Sequence, residues 1–297
     1  GAARGDAAIE KIRGQRPSAA RVVGYLRPSR STAAETDHIM ELGIKGLRVL
    51  VTAGAGGIGL KIAEAFAREG AIVEVCDVDR AALDALRKSH PGIGASECDV
   101  ADRAAVGAWF DAAVAKLGGL DCLVNNAGIA GPTGPVHEID PAEWDRCLAV
   151  CITSQFNFTR LAVEHLKQSS NASIINLSSA AGKFGFPNRS AYAAAKWGVV
   201  GFTKTIAIEL GQFGIRANAI LPGVVEGDRI RRVIEAKAQV AGKTAQEIET
   251  TWLAQASIKE FIQPEQLADL ALFIASPRGR TISGQALSVD GNLQALV

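Results

Sequence analysis

The sequence predicts an α/β fold: a doubly wound, mostly parallel sheet with helices on both faces, in a single domain. Three observations carry this expectation. Short apolar runs rich in β-branched residues alternate with helix-length periodic stretches along most of the chain. The first such run leads directly into a glycine-rich turn and then a helix. At 297 residues, with a hydrophobic fraction of 48%, the chain can bury one large core.

Residues 1 to about 40 stand apart, rich in Arg, Ala, Ser and Pro and without a sustained apolar period. Arg4, Lys11, Arg13, Arg16, Arg21, Arg27 and Arg30 outnumber the acidic residues there. Asp6 and Glu10 argue against a transit peptide, which is poor in acids. The expectation is a poorly ordered N-terminal extension over 1–40 and one folded domain over 41–297.

Regularity begins at Leu47. Residues 47–53 form a strand-like run, residues 54–59 read Gly-Ala-Gly-Gly-Ile-Gly, and a helical pattern follows to about 69. Gly54, Gly57 and Gly59 allow a tight turn in which a pyrophosphate reaches bare N–H groups, with Ile58, at the helix N-terminus. The next run, 71–76, ends in Asp77, 18 residues after Gly59. An acidic side chain there accepts hydrogen bonds from both adenosine ribose hydroxyls and repels a 2′-phosphate. Neither Ala55 nor Val78 offers a compensating cation, which favours NAD over NADP as cofactor. The plainer reading of Asp77 is a turn residue before the next helix.

The alternation continues. Asp99 and Val100 close a third strand, a helix spans 102–117, and 120–124 is a fourth strand ending in Asn-Asn-Ala-Gly at 125–128. One helix is expected over 141–168, a buried strand from Ser173, and a long helix over 191–213. Residues 216–221 form a strand running into Pro222 and Gly223. An irregular stretch, a helix over 264–275 and a last strand over 286–290 complete the pattern.

The candidate chemistry lies in 178–196. Tyr192 and Lys196, at i and i+4, share one helix face. A phenol titrates near pH ~10, and a nearby ammonium favours its phenolate, so Tyr192 can act as a general acid/base. Ser179 lies thirteen residues upstream of Tyr192, at the end of a strand, where parallel sheets face their ligand crevice. Taken alone, a tyrosine and lysine at this spacing also suit an ordinary surface helix.

Together these residues resemble the short-chain dehydrogenase/reductase family, of the NAD-using single-domain kind, over about 47–292. Residues 52–59 match the family's Thr-Gly-x3-Gly-x-Gly turn, with Ala53 in place of its first glycine. Asn125, Asn126, Ala127 and Gly128 match the motif that supports the central sheet. Ser179, Tyr192 and Lys196 match the catalytic serine, tyrosine and lysine, and Pro222 and Gly223 the turn flanking the nicotinamide.

The resemblance implies that Tyr192 exchanges a proton with the substrate oxygen while hydride passes to or from nicotinamide C4. Ser179 would hold that oxygen, and Lys196 the nicotinamide ribose and the tyrosine's charge. Asp99 and Val100 would border the adenine, and Asn126 and Gly128 the adenosine side. The resemblance also implies a homo-oligomer, dimer or tetramer, built on two long helices and the last strand. Three positions depart from the pattern. Cys151 stands where an asparagine usually completes a tetrad, Gly227 where many members have threonine, and Asn292 where glycine is common. That asparagine is thought to hold a relay water through its main-chain carbonyl, which cysteine also has.

The formal charge of +1 gives no reason to expect nucleic acid or a membrane surface as partner. No apolar run reaches the ~18–20 residues of a membrane span. Five cysteines without CxxC spacing read as reduced thiols in a cytoplasmic setting, and four scattered histidines suggest no metal. Substrate choice is expected in 224–262 and in the loops after Gly128 and Ser179. Arg229 and Arg232 could clamp a carboxylate or phosphate, although a solvated basic helix face is the plainer reading. Phe184, Phe186 and Trp252 could line an apolar wall or simply pack in the core. The expected function is hydride transfer between NAD(H) and a small alcohol or carbonyl substrate. The alternative is a dinucleotide-binding regulator with little turnover.

Overall fold

The computed structural model describes residues 40–296. The extension expected over 1–40 lies outside them except for Met40. Seven strands form one sheet: β1 (Arg48–Thr52), β2 (Ile72–Asp77), β3 (Gly94–Glu97), β4 (Cys122–Asn125), β5 (Ser173–Leu177), β6 (Arg216–Pro222) and β7 (Ala286–Val289). Their order is β3-β2-β1-β4-β5-β6-β7 and every pairing is parallel. The order reverses between β1 and β4, the switch point at which sheets of this kind take their ligands, beyond the carboxyl ends of the strands.

Helices cover both faces because the central strands are apolar on both sides. On one face α1 (Gly57–Arg68), α2 (Arg80–Ser89) and α9 (Pro264–Ala275) bury Ile62, Phe66, Leu83 and Leu272 against Val49, Val51 and Ile175. On the other, α3 (Arg103–Leu117), α5 (Ser154–Leu166) and α6 (Ser190–Gly211) bury Phe110, Phe158 and Ile206 against Leu50, Leu123 and Ile174. Asp79, Asp102 and Asp140 cap α2, α3 and α4 (Pro141–Leu148) through backbone N–H groups.

A buried polar ladder ties the second layer to the sheet. Asn125 donates to Thr159 Oγ1 (3.3 Å) and Asn176 Oδ1 (2.9 Å), and Asn176 donates to Thr203 Oγ1 (2.9 Å). These pairings fix the register of β4 and β5 against α5 and α6 at the level where the site begins.

Three details differ from the sequence reading. Asp99 and Val100 follow β3 rather than close it, since the strand ends at Glu97. The expected helix over 141–168 is interrupted by a widened π turn at Ala149–Thr153, in which Ser154 N–H reaches back to the Ala149 carbonyl. The stretch read as irregular after Gly223 contains two helices, α7 (Asp228–Ala241) and α8 (Ala245–Leu253). Ile234 and Ala238 of α7 pack against Ile248 and Trp252 of α8. Thr244 starts α8 with a capping box, its side chain and that of Glu247 reciprocally bonded to each other's backbone.

Candidate active site

The parallel sheet brings the carboxyl ends of β1, β2, β4, β5 and β6 to one rim, and the predicted residues sit along it. Following β1, Ala53 turns the chain with φ +50° and Gly54 N–H donates to the Cys76 carbonyl (3.0 Å). Gly56 opens α1 without any side-chain cap, and no acidic residue occupies the first turn. The N–H groups of Gly57, Ile58 and Gly59 therefore have no side chain competing for them. A side chain on Gly59 would meet the Ala53 carbonyl oxygen and Asn126 Nδ2, both 2.3 Å from its Cβ. Asn126 holds this turn in place by donating to the carbonyls of Thr52 (3.0 Å) and Ala53 (2.9 Å).

Asp77, at the end of β2, is fixed by its neighbours. Its Oδ2 accepts from Ala55 N–H (3.1 Å), and its Oδ1 accepts from Val78 (2.8 Å) and Asp79 (3.1 Å). A carboxylate has about four acceptor sites, so about one remains for a ribose hydroxyl. Asp99 is bridged by Arg146 of α4 through Oδ2 (3.1 Å), and Val100 is buried beside it. This uncapped helix end, fixed carboxylate and apolar border fit a dinucleotide by the chemistry of their donors and acceptors.

At the other end of the rim Tyr192 and Lys196 project from the first turns of α6 and are 9% and 2% exposed. Lys196 Nζ donates to the Leu177 carbonyl at the end of β5 (2.8 Å) and lies 5.6 Å from the Tyr192 ring centre. Arg229, in the first turn of α7, reaches in and donates to the carbonyls of Gly128 (3.3 Å) and Ile129 (3.1 Å). Its Nη2 also lies 3.5 Å from the Tyr192 hydroxyl.

Burial alone would raise the Tyr192 pKa. The Arg229 and Lys196 charges outweigh it, with a Ser179 hydrogen bond assisting and Cys151 opposing, so the phenol titrates below its ordinary value. Ser179 also accepts from Ala181 N–H (3.1 Å), which fixes the turn after β5. Gly223 continues β6 past Pro222, donates to the Val289 carbonyl (2.9 Å) and packs on Asp290.

Cys151 sits in the widened turn, fully buried behind Tyr192. Its carbonyl accepts from Gln155 Nε2 (3.2 Å), which also lies 3.3 Å from the Leu177 carbonyl that Lys196 bonds. The Cys147 hydrogen bond pulls the Cys151 thiol below the usual range against the effect of burial, and the Lys196 charge adds to the pull.

Among the candidate substrate residues, Phe186 and Trp252 meet edge to face at 6.1 Å, whereas Phe184 packs elsewhere, with Ala180 and Leu293. Both Arg229 and Arg232 are exposed, but only Arg229 reaches Tyr192 and the carbonyls of Gly128 and Ile129. Gln155 and Arg189 are part of the site and did not figure in the sequence reading. Arg189 lies at i−3 from Tyr192, and that spacing is the signal that could have found it.

Fold and site define a Rossmann-type oxidoreductase. A family model described as enoyl-(acyl carrier protein) reductase matches residues 52–293, and the chain belongs to the short-chain dehydrogenase/reductase family. It is 36% identical over 254 residues to a D-beta-hydroxybutyrate dehydrogenase of Cupriavidus necator, covering 84% of this chain and 98% of that one. Two solved structures resemble it at a TM-score of 0.79. An actinorhodin polyketide ketoreductase with NADPH is 30% identical, covering 84% of this chain and 97% of the other. An NAD+-bound xylitol dehydrogenase is 27% identical, covering 84% and 99%. The chain is thus an oxidoreductase of CH–OH groups that uses a nicotinamide dinucleotide.

Proposed function

We propose that this chain is an NAD-dependent dehydrogenase interconverting a small alcohol and its carbonyl compound, with Ser179, Tyr192 and Lys196 as its catalytic residues. The observation that carries the reading is a buried phenol whose pKa is pulled down by two cations, at the carboxyl rim of the sheet. In oxidation Tyr192 takes the proton of the substrate hydroxyl, and in reduction it returns it. Ser179 holds the same oxygen in place. Lys196 holds the nicotinamide ribose and, after Arg229, lowers the pKa of the phenol. NAD, when bound, supplies the acceptor or donor of hydride.

Gly54, Gly57, Ile58 and Gly59 would hold the pyrophosphate, with Asp99, Val100, Asn126 and Gly128 along the adenosine side and Pro222 and Gly223 beside the nicotinamide. NAD is favoured over NADP because the Asp77 carboxylate would meet a 2′-phosphate with like charge, and neither Ala55 nor Val78 is a cation. The relatives named for hydroxybutyrate and xylitol support a small hydroxylated substrate. A homo-oligomer, dimer or tetramer, acting in the cytoplasm is part of the proposal. Its support is the exposed apolar surface of Phe156 on α5 and of Trp197 and Ile208 on α6.

A screen of alcohols with NAD, following absorbance of the reduced cofactor, tests the reading. Tyr192→Phe should cut turnover by roughly 10²-fold or more, the usual scale for general acid/base catalysis, and leave NAD affinity nearly intact. A Tyr192→Phe enzyme that keeps most of its kcat would show that the proton goes elsewhere. NAD binding without turnover of any alcohol would favour the regulator.

A further inference from the structure

Two arginines crowd the face of Tyr192. The Arg189 guanidinium carbon lies 5.2 Å from the ring centre and that of Arg229 lies 5.7 Å from it. The two positive charges repel each other. Among the described residues, neither forms an ion pair with a carboxylate.

Arg189 is the unusual member. It is 2% exposed, and its Nη2 donates to the Ala130 carbonyl. Its Nε and Nη1 are buried without a hydrogen-bond partner. The comparison with Arg216, 6% exposed, is informative: its Nη1 and Nη2 reach the carbonyls of Ile274, Gly279 and Ala275 and the side chain of Asn171. Arg216 is thus a structural cation, satisfied by the end of α9. Burying charged donors without partners is unfavourable. The rings of Phe186, at 5.2 Å, and Tyr192 offset that cost in part but accept no N–H bond in the ring plane. Lys237 lies over the same Phe186 ring, at 4.4 Å. A Tyr192 phenolate is a counter-charge only until it takes the substrate proton, and the Nε and Nη1 of Arg189 have no hydrogen bond to it.

We propose that Arg189 and Arg229 form an anion subsite in the substrate cleft, so that the substrate is a short hydroxy or oxo carboxylic acid. Its carboxylate lies on the two guanidinium groups, and its reacting oxygen on Tyr192 and Ser179. This rests on the dehydrogenase reading. The carboxylate pairs with the buried, unpartnered donors of Arg189, relieves the repulsion between the arginines, and sets the carbinol carbon at a fixed reach from the phenol.

The test compares matched pairs that differ in the carboxylate: 3-hydroxybutanoate against 2-butanol, and 4-hydroxycyclohexanecarboxylate against cyclohexanol, each with NAD and the full chain. In at least one pair kcat/KM should favour the acid by on the order of 10²-fold, the scale of a desolvated charge-assisted contact. Arg189→Met and Arg229→Met should each reduce that ratio at least tenfold, and Arg189→Lys should retain part of it. Arg229 lies on the exposed first turn of α7, so its variant serves if loss of the Ala130 contact unsettles Arg189→Met. Calorimetric titration of the NAD-saturated chain with acetoacetate and 4-oxocyclohexanecarboxylate reads binding without turnover. At least one acid should bind, and more weakly to both methionine variants. Equal use of acid and neutral alcohol in both pairs, or no binding of either oxo acid, overturns the anion subsite. Arginine-dependent binding without turnover of any alcohol leaves the subsite standing and overturns the dehydrogenase reading instead.

Discussion

The hydroxyl of Tyr192 lies 3.5 Å from Nη2 of Arg229, which enters from the first turn of α7. Burial is the largest influence on this phenol and acts upward, yet Arg229 and then Lys196 bring the net shift below the ordinary value of ~10. The chain has only two tyrosines, Tyr25 and Tyr192. In a Tyr25→Phe background, phenolate absorbance therefore reports Tyr192 alone. The midpoint should lie below that of a free phenol. Arg229→Met should raise it, by more than Lys196→Met does. Under the proposed mechanism alcohol oxidation needs the phenolate, so its activity should fall off at a higher pH in Arg229→Met. An unmoved midpoint would remove Arg229 as the cause.

Asp77 decides the second prediction. Its carboxylate is oriented by three backbone N–H groups, so it cannot swing away from an added phosphate. Asp77→Ser combined with Val78→Arg removes a like charge and adds a fork of donors at an exposed position. Fluorescence titration should show weaker NAD binding and a gain in NADP binding of at least tenfold. A wild-type chain that already prefers NADP would overturn the reading of Asp77.

The third prediction concerns stability. Ala53 holds φ +50° where the family turn has glycine. An alanine in the left-handed region costs ~1–2 kcal/mol, which its ~0.4–1 kcal/mol advantage over glycine in the unfolded chain offsets only in part. Ala53→Gly should therefore be neutral or stabilising by up to about 1.6 kcal/mol. Ala53→Val, with a branched Cβ at the same φ, should destabilise by at least as much again. Urea denaturation of both variants checks this. A loss beyond about 1 kcal/mol in the glycine variant would mean that the methyl group's packing outweighs the backbone term.

What could be read from the residues alone follows from how local each signal is. The strands are contiguous apolar runs, and Gly54–Gly59 announces its turn by composition. α7 carries Arg229, Arg231, Arg232, Glu235 and Lys237, yet Ile230, Val233, Ile234 and Ala238 recur at helical spacing, so the helix was there to be read behind its charges. Thr244 and Glu247 stand at capping-box spacing before α8, a signal that the reading of this stretch as irregular passed over. Two of the family departures have backbone causes. Gly227 holds φ +141°, which threonine would adopt only under strain, and Asn292 holds φ +58°, where asparagine is tolerated. The i−3 spacing of Arg189 from Tyr192 was legible, but its burial was not, because that depends on a contact with Ala130, 59 residues away. Neither was the π turn at Ala149–Thr153, a choice of hydrogen-bond register rather than of residue type.

That turn bears on the last prediction, at Cys151. If the site uses only this residue's carbonyl, the side chain is free to vary. The structure favours that view: the carbonyl accepts from Gln155, which also reaches the Leu177 carbonyl bonded by Lys196, so the backbone is part of the network. The thiol instead contacts the Ile129 carbonyl at 3.5 Å, a weak bond that an asparagine amide could replace. Cys151→Asn should therefore change kcat by less than a few-fold, and Cys151→Ala should behave alike. Steady-state kinetics of the wild type and both variants on one accepted substrate decide between the views. A large gain from asparagine, with alanine still slow, would mean that the amide orders the proton path. The wild-type chain would then be a weak enzyme, and the regulator reading would gain ground.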